Sequence, residues 1–333
     1  MSALLAIFVV ATLVSAVSRT YPVLLGARVV TALSQALFWS VVVPTAAGLF
    51  PEKARGRAIG LVFAGSSLAA VLGVPAGTWL GQQAGWRAAF LALSGVGLIA
   101  LVGVAWLLPT EPAGQRATQR GTTPDARRYW LLMAMVTLTV TGSFVVYTYV
   151  TPFLTEIALF SLAAIGPLLL VRGIAGVVGV SLSGPLVDRS PWLAIVVPIV
   201  LQVVAFFGLY ALGRNQIVAL TLVAVSGLSF AVLTTALSNR VLQVAPGSVD
   251  LAASGASTAV NVGITAGALI GSLLLPEFGV RSVMFVGGLL TLGGLAVVIA
   301  EPLFLPPLPR PATGVAVAGQ REEPELASSE ALA

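Results

Sequence analysis

GSSLAAVLGVPAGTWLGQQAGWR, residues 65–87, sets five glycines and a proline inside a run otherwise apolar enough to lie in lipid. Gly65, Ala69, Gly73, Gly77 and Gly81 fall four residues apart, so on a helix they form a slowly winding stripe of small side chains. A stripe of this kind lets a second backbone approach closely, and its plainest role is helix packing. Pro75 interrupts it. With no N–H, Pro75 cannot bond the carbonyl of Val71, and the helix is expected to bend or loosen there.

The rest of the chain fits a membrane setting. Of the 333 residues 58% are hydrophobic and 9% charged, and mean hydropathy is +1.02. Apolar runs long enough to cross about 30 Å of hydrocarbon recur along most of the length, and they are longer and less alternating than the strands of a membrane β-barrel. The fold class is an all-α polytopic membrane protein. Ten spans are expected, at 2–17, 23–49, 58–81, 88–108, 130–153, 162–184, 192–212, 216–244, 251–275 and 282–300.

Charge supplies the topology. Connections on one side carry Arg19, Arg87, Arg214 and Arg281, and those on the other carry Lys53, Arg55, Arg57, Arg116, Arg120, Arg127, Arg128 and Arg189. By the positive-inside rule the second side, with both termini, is cytoplasmic. The net charge of +5 is spread in small groups between apolar runs, which gives no stripe for nucleic acid. Cysteine and histidine are both absent, removing thiolate chemistry, histidine metal sites and a histidine base. An intramembrane enzyme is thereby disfavoured, and neither a cofactor nor a metal is expected.

An internal repeat organises these spans. Adding 194 carries Gly73 to Gly267, Gly77 to Gly271, Gly85 to Gly279 and Arg87 to Arg281, and a shift of 195 carries Pro51 to Pro246. Spans one to four thus correspond to spans seven to ten, while spans five and six have no partners. The small stripe recurs in span nine as Ala259, Gly263, Gly267 and Gly271, but Leu269 stands where Pro75 would be. The expected organisation is an incomplete four-span bundle at 1–108, a cytoplasmic linker at 109–129, a six-helix bundle at 130–300 and a disordered tail at 301–333. Parallel six-helix repeats joined by a cytoplasmic linker are one architecture of secondary transporters.

Four stretches carry a family resemblance: GVPAGTWLG (Gly73–Gly81), RVVTALSQALFWS (Arg28–Ser40), YTYVTPFLTEI (Tyr147–Ile157) and GPLVDR (Gly184–Arg189). The chain resembles the major facilitator superfamily, in its drug and sugar proton-antiporter branch, and within that the bacterial sugar-efflux, arabinose-exporter-like and chloramphenicol-exporter proteins. The resemblance implies a two-bundle fold of about ten helices, four plus six, lying in a bacterial inner membrane. It implies a monomeric exporter of small molecules that works by alternating access with protons as partner. It assigns coupling or gating to Arg28, to Gly73, Pro75, Gly77 and Gly81, and to Asp188 and Arg189. It places Tyr147 and Tyr149 on a cavity-facing helix.

Physical reasoning adds candidates. Arg172 lies midway along span six, where an arginine should face a cavity or a partner, and Arg28 lies in the outer third of span two, where snorkelling to the interface is the alternative. Ser34, Gln35, Asn239 and Asn261 are polar residues within spans, suited to a substrate path or to interhelical hydrogen bonding. No Asp or Glu lies inside any of the ten spans, so proton coupling has no carboxylate to rest on. The family's coupling acid is usually in its first helix. The first-half counterpart of Gly184–Arg189 would fall ahead of Met1, and the expectation is that two helices are missing, through a misplaced start or a real truncation. A different class of reading is a non-transporting remnant or membrane sensor on the same fold.

Overall fold

The computed structural model describes residues 1–48, 62, 65, 68–107 and 123–304. These residues are helical almost throughout. In chain order the elements are α1 (Ser2–Val17), α2 (Tyr21–Gly48), a π-helical turn (Ala69–Gly73) running into α3 (Val74–Ala84), α4 (Trp86–Leu107), α5 (Ala126–Thr148), α6 (Val150–Glu156), α7 (Leu162–Arg189), α8 (Leu193–Leu212), α9 (Gln216–Val244), α10 (Val249–Phe278) and α11 (Val280–Phe304). Eight are long and apolar enough to cross a membrane. At 16 residues α1 reaches about 24 Å, short of that length.

Several boundaries move from their expected places. The fifth span is divided at Tyr149 between α5 and α6. The last helix runs through Phe304, past the start expected for the tail. At the other end of the linker, Asp125 caps α5, accepting from the backbone N–H groups of Arg127 and Arg128. The N–H groups of Thr123 and Asp125 donate to the carbonyls of Gln243 and Val244 at the end of α9, fixing the linker to the second bundle. The linker residues 108–122 and the tail from 305 lie outside the described residues.

The repeat is legible in the packing. α1 packs on α2 and α4 as α8 packs on α9 and α11, and α3 meets α4 as α10 meets α11. Gly85 and Gly279, the repeat pair between those helices, have φ of 80° and 72°. Only glycine enters that region readily, and both lead straight into the next helix. Two residues on, the paired arginines do the same work: Arg87 donates to the carbonyl of Ser18 at the end of α1, and Arg281 to that of Tyr210 near the end of α8. Each guanidinium also lies over a ring, Trp86 at 4.3 Å and Tyr210 at 4.8 Å. Both clasp neighbouring helix ends on the side assigned to the exterior.

The glycine stripes part company here. In α10 the stripe packs on α5: a Cβ on Gly267 would lie 2.6 Å from the Thr141 carbonyl, one on Gly263 would lie 2.9 Å from Val140, and Gly271 abuts the Tyr149 ring. In the first half no such approach is seen among the described residues, where a Cβ at Gly65, Gly73, Gly77 or Gly81 would meet nothing within 4 Å. The reason is the repeat itself, since α5 supplies the partner of α10 and no helix among the described residues stands in that relation to α3. α3 and the π turn pack instead on α4 and α7, and Gln82 donates to the Leu162 carbonyl at 2.8 Å.

Most of α5 is buried, against α10 and α11. Polar side chains link the helices inside this bundle. Ser143 donates to Oε1 of the fully buried Gln202 at 2.7 Å, and Gly142 and Gly287 bring α5 and α11 into backbone contact. Lipid is as apolar as leucine, so close packing and buried hydrogen bonds, rather than withdrawal from water, hold such helices together. The many exposed Leu, Val and Ile side chains on α1, α2 and α4 suit a surface against lipid.

Candidate functional site

The second bundle contains one arginine at membrane depth beside a cluster of rings. Arg172 is about 15 Å along α7 from its start at Leu162. Tyr147 lies about 13 Å back from the end of α6 at Glu156. The two helices therefore deliver these residues to one level. The Arg172 guanidinium stands over the Tyr147 ring at 3.7 Å from its centroid. That ring is held in turn: its hydroxyl donates to the Ser226 carbonyl at 2.9 Å, and its edges meet Phe230 at 5.5 Å, Phe144 at 5.8 Å and Phe206 at 6.1 Å. Gly227 on α9 makes room for the arginine, since a Cβ there would run into the Arg172 backbone and Cγ.

A desolvated cation over a tyrosine is worth about 2 kcal/mol, while an arginine at the bilayer centre costs at least about 2.5 kcal/mol. The ring offsets much of that cost and leaves the donors unused. Arg172 Nε is buried without an acceptor, and an unmade hydrogen bond of a buried group costs about 1–3 kcal/mol. Phe144, Tyr147 and Phe230 are each only partly buried. The arrangement can present a fixed positive charge, flanked by aromatic faces, to a small molecule.

The other sequence candidates are dispersed. Tyr149 is engaged in packing, its ring against Gly271 and its hydroxyl donating to the Ala268 carbonyl at 2.9 Å. Ser34 is buried and donates to the Thr31 carbonyl of its own helix. Gln35, Asn239 and Asn261 are exposed, the two asparagines donating to Thr235 and Ser257 one turn earlier. Arg28 is exposed on α2 with its guanidinium 5.3 Å from the centre of Phe90 on α4. The π turn at Ala69–Gly73 stands immediately ahead of Pro75, so the ladder widens by one residue where the Pro75 donor is missing. Gly77 and Gly81 follow on α3. Arg189 is exposed in the last turn of α7; the Asp188 side chain beside it lies outside the described residues, as do Lys53, Arg55, Arg57, Arg116 and Arg120.

A charge network at the end of the second bundle where α5 begins and α9 and α11 finish escaped the sequence reading. Glu301 Oε1, on α11, accepts from Arg128 Nη1 of α5 at 2.8 Å and from Arg240 Nη2 of α9 at 2.9 Å. Arg128 Nε reaches Asp125 at 3.1 Å. Three helix ends are thus joined through one carboxylate oxygen. The signal was present in part, because Arg240 lies inside the eighth span and an arginine there demands a partner. Glu301 fell one residue past the expected end of the tenth. The Asp125 carboxyl is held below the ordinary carboxylate range, first by the N–H of Arg128 and then by that of Arg127 and the Arg128 side chain, against the opposing effect of burial.

Comparison with known proteins agrees with this architecture. The family model described as Major Facilitator Superfamily matches residues 1–249. A probable sugar efflux transporter of Helicobacter acinonychis (strain Sheeba) is 33% identical over 291 residues, covering 87% of this chain and 74% of the relative. The uncharacterized MFS-type transporter YtbD of Bacillus subtilis (strain 168) is 32% identical over 296 residues, covering 87% and 75%. Among solved structures, the human organic anion transporter MFSD10 (TETRAN) superposes with a TM-score of 0.63 at 19% identity, covering 89% of this chain and 76% of that one. A bacterial homolog of the human lysosomal transporter Spinster, in an inward-facing and occupied conformation, gives 0.56 at 17% identity, covering 90% and 80%. With three quarters of its length matched by the family model and relatives above 30% identity over most of their own length, this chain belongs to the major facilitator superfamily.

Proposed function

We propose that this protein is a secondary active exporter of small polar molecules of the sugar class, working by alternating access in a bacterial inner membrane with both termini cytoplasmic. The observation that carries the reading is the run of relatives named probable sugar efflux transporters, at about 33% identity over nearly the whole described region. The site at Arg172 and Tyr147 supports it, because rings beside a fixed donor suit a body with apolar faces and polar edges. Rocking of the bundles would open and close this level of the membrane. The α3–α7 contact, with the π turn and Pro75, lies on the first-half side of that motion. The protein is read as a monomer.

Proton coupling is the finer part of the proposal. Among the described residues every Asp and Glu stands in a first or last helical turn or outside a helix, at positions 125, 156, 188, 250, 277 and 301. Counterflow needs no coupling acid, so exchange of substrate for substrate tests transport by itself, and the response to an imposed pH gradient tests the coupling. The test is counterflow of a labelled pentose or hexose in proteoliposomes, with and without an imposed gradient. Accumulation above protein-free vesicles supports transport. No exchange across a panel of sugars and drugs overturns it in favour of a non-transporting membrane protein.

A further inference from the structure

Arg172 is paired with a ring and with no acid. The ion pairs of the described residues engage Arg128 and Arg240 at the end of the bundle where α5 begins. No hydrogen bond joins the Arg172 guanidinium to any described residue, and its Nε is buried and unsatisfied. The acidic residues among the described ones, confined to helix ends, are all far along their helices from its level. Yet the cation is not loose. Tyr147 is fixed beneath it by the Ser226 carbonyl and three phenylalanines, and Gly227 seats the Cγ of its stem. A charge held this firmly at membrane depth without a counter-ion is a preformed receptor for an anion. Phe144 and Phe230, half-buried against the Tyr147 ring, offer flat apolar faces on which the C–H faces of a sugar ring could rest.

We propose that Arg172, poised on Tyr147, recognises an anionic group, and that the molecules carried are acidic sugars, a pentose- or hexose-sized body bearing a carboxylate. This rests on the sugar-class reading above and narrows it. The guanidinium meets the carboxylate with its unused donors while Tyr147 keeps its place beneath the cation.

The experiment uses the full 333-residue protein in lipid nanodiscs, measuring binding of glucuronate, of neutral glucose and of benzoate, an anion with no sugar body. Glucuronate is expected to bind at least about tenfold more tightly than glucose. Arg172→Leu should weaken glucuronate at least about 30-fold and glucose by a much smaller factor, so that the preference collapses, and Arg172→Lys should restore part of it. Tyr147→Phe, which keeps the ring, should retain the preference. If Arg172→Leu does not fold, Arg172→Gln is read in the same way. Equal affinity for glucuronate and glucose, or a preference that survives loss of the arginine, overturns the proposal and leaves the sugar-class reading standing. Arg172-dependent binding of benzoate with neither sugar bound overturns the sugar class and keeps the anion receptor. Failure of both glucuronate and benzoate to bind overturns the anion receptor itself.

Discussion

Gly73 and Gly267 occupy the same position in the two repeats, and the structure gives them opposite surroundings. Adding one methyl group to each separates the contact from everything else. At Gly267 the new Cβ would stand 2.6 Å from the Thr141 carbonyl, 2.9 Å from Phe144 Cβ and 2.9 Å from the Val145 nitrogen. Two of those neighbours are backbone, so α10 and α5 must move apart. Overpacking of this kind costs about 1–3 kcal/mol. Against it stands the gain of alanine over glycine in a helix, about 0.8–1 kcal/mol. At Gly73 the Cβ would meet nothing within 4 Å among the described residues, and only the gain remains. The propensity gain is common to both, so it cancels in the difference, which is the overpacking term of about 2 kcal/mol, or about 30-fold in the folding equilibrium. Thermal unfolding in detergent, followed by tryptophan fluorescence at one fixed scan rate, should place Gly267→Ala roughly 3 °C below Gly73→Ala, with the latter at or slightly above the parent. Equal losses for the two variants, or a larger loss for Gly73→Ala, would refute the claim that only the second stripe is engaged.

Glu301→Gln removes the carboxylate shared by Arg128 and Arg240 and should destabilise that end of the second bundle by about 3 kcal/mol, read as a lowered unfolding midpoint; a midpoint within 1 °C of the parent refutes it. The Asp125 carboxyl lies below its ordinary range when folded, so its contribution is fully present above the unfolded carboxylate range and is lost as pH falls through the lower folded value. Asp125→Asn keeps a capping oxygen and should flatten the acid limb of stability against pH, whereas an unchanged limb assigns acid sensitivity elsewhere. Pro75→Leu, which installs the residue type found at Leu269, restores the missing N–H and should leave expression normal while reducing export, measured in whole-cell efflux. Unchanged efflux returns Pro75 to a packing role.

How much of this was legible in sequence depends on how local the cause is. Gly85 and Gly279 could be matched by counting, and both prove to hold a positive φ that belongs to glycine itself. The break at Tyr149 inside the expected fifth span, and the choice of Arg172 over Tyr149 as the open polar group, had no local signal. Both tyrosines of the YTY stretch read alike in sequence. One turns toward Arg172 and the other packs into the groove left by Gly271, because residues two apart on a helix point to different neighbours. Glu301 was missed for a related reason, since its partners are 61 and 173 residues away and nothing near it announces them.

By itself the sequence determined the helical membrane class, the family and the repeat, because hydrocarbon thickness, backbone hydrogen bonding without water and glycine's conformational freedom act on each segment regardless of its neighbours. Tertiary structure decided which features of that sequence are engaged. Among the described residues, two stripes of nearly the same small residues became a tight interface in one half and a face without close contacts in the other, and Arg128 and the half-buried Arg240 acquired a carboxylate while the half-buried Arg172 acquired only a ring. Packing and charge pairing depend on what stands opposite, and in this chain the opposite residue comes from a helix dozens of positions away.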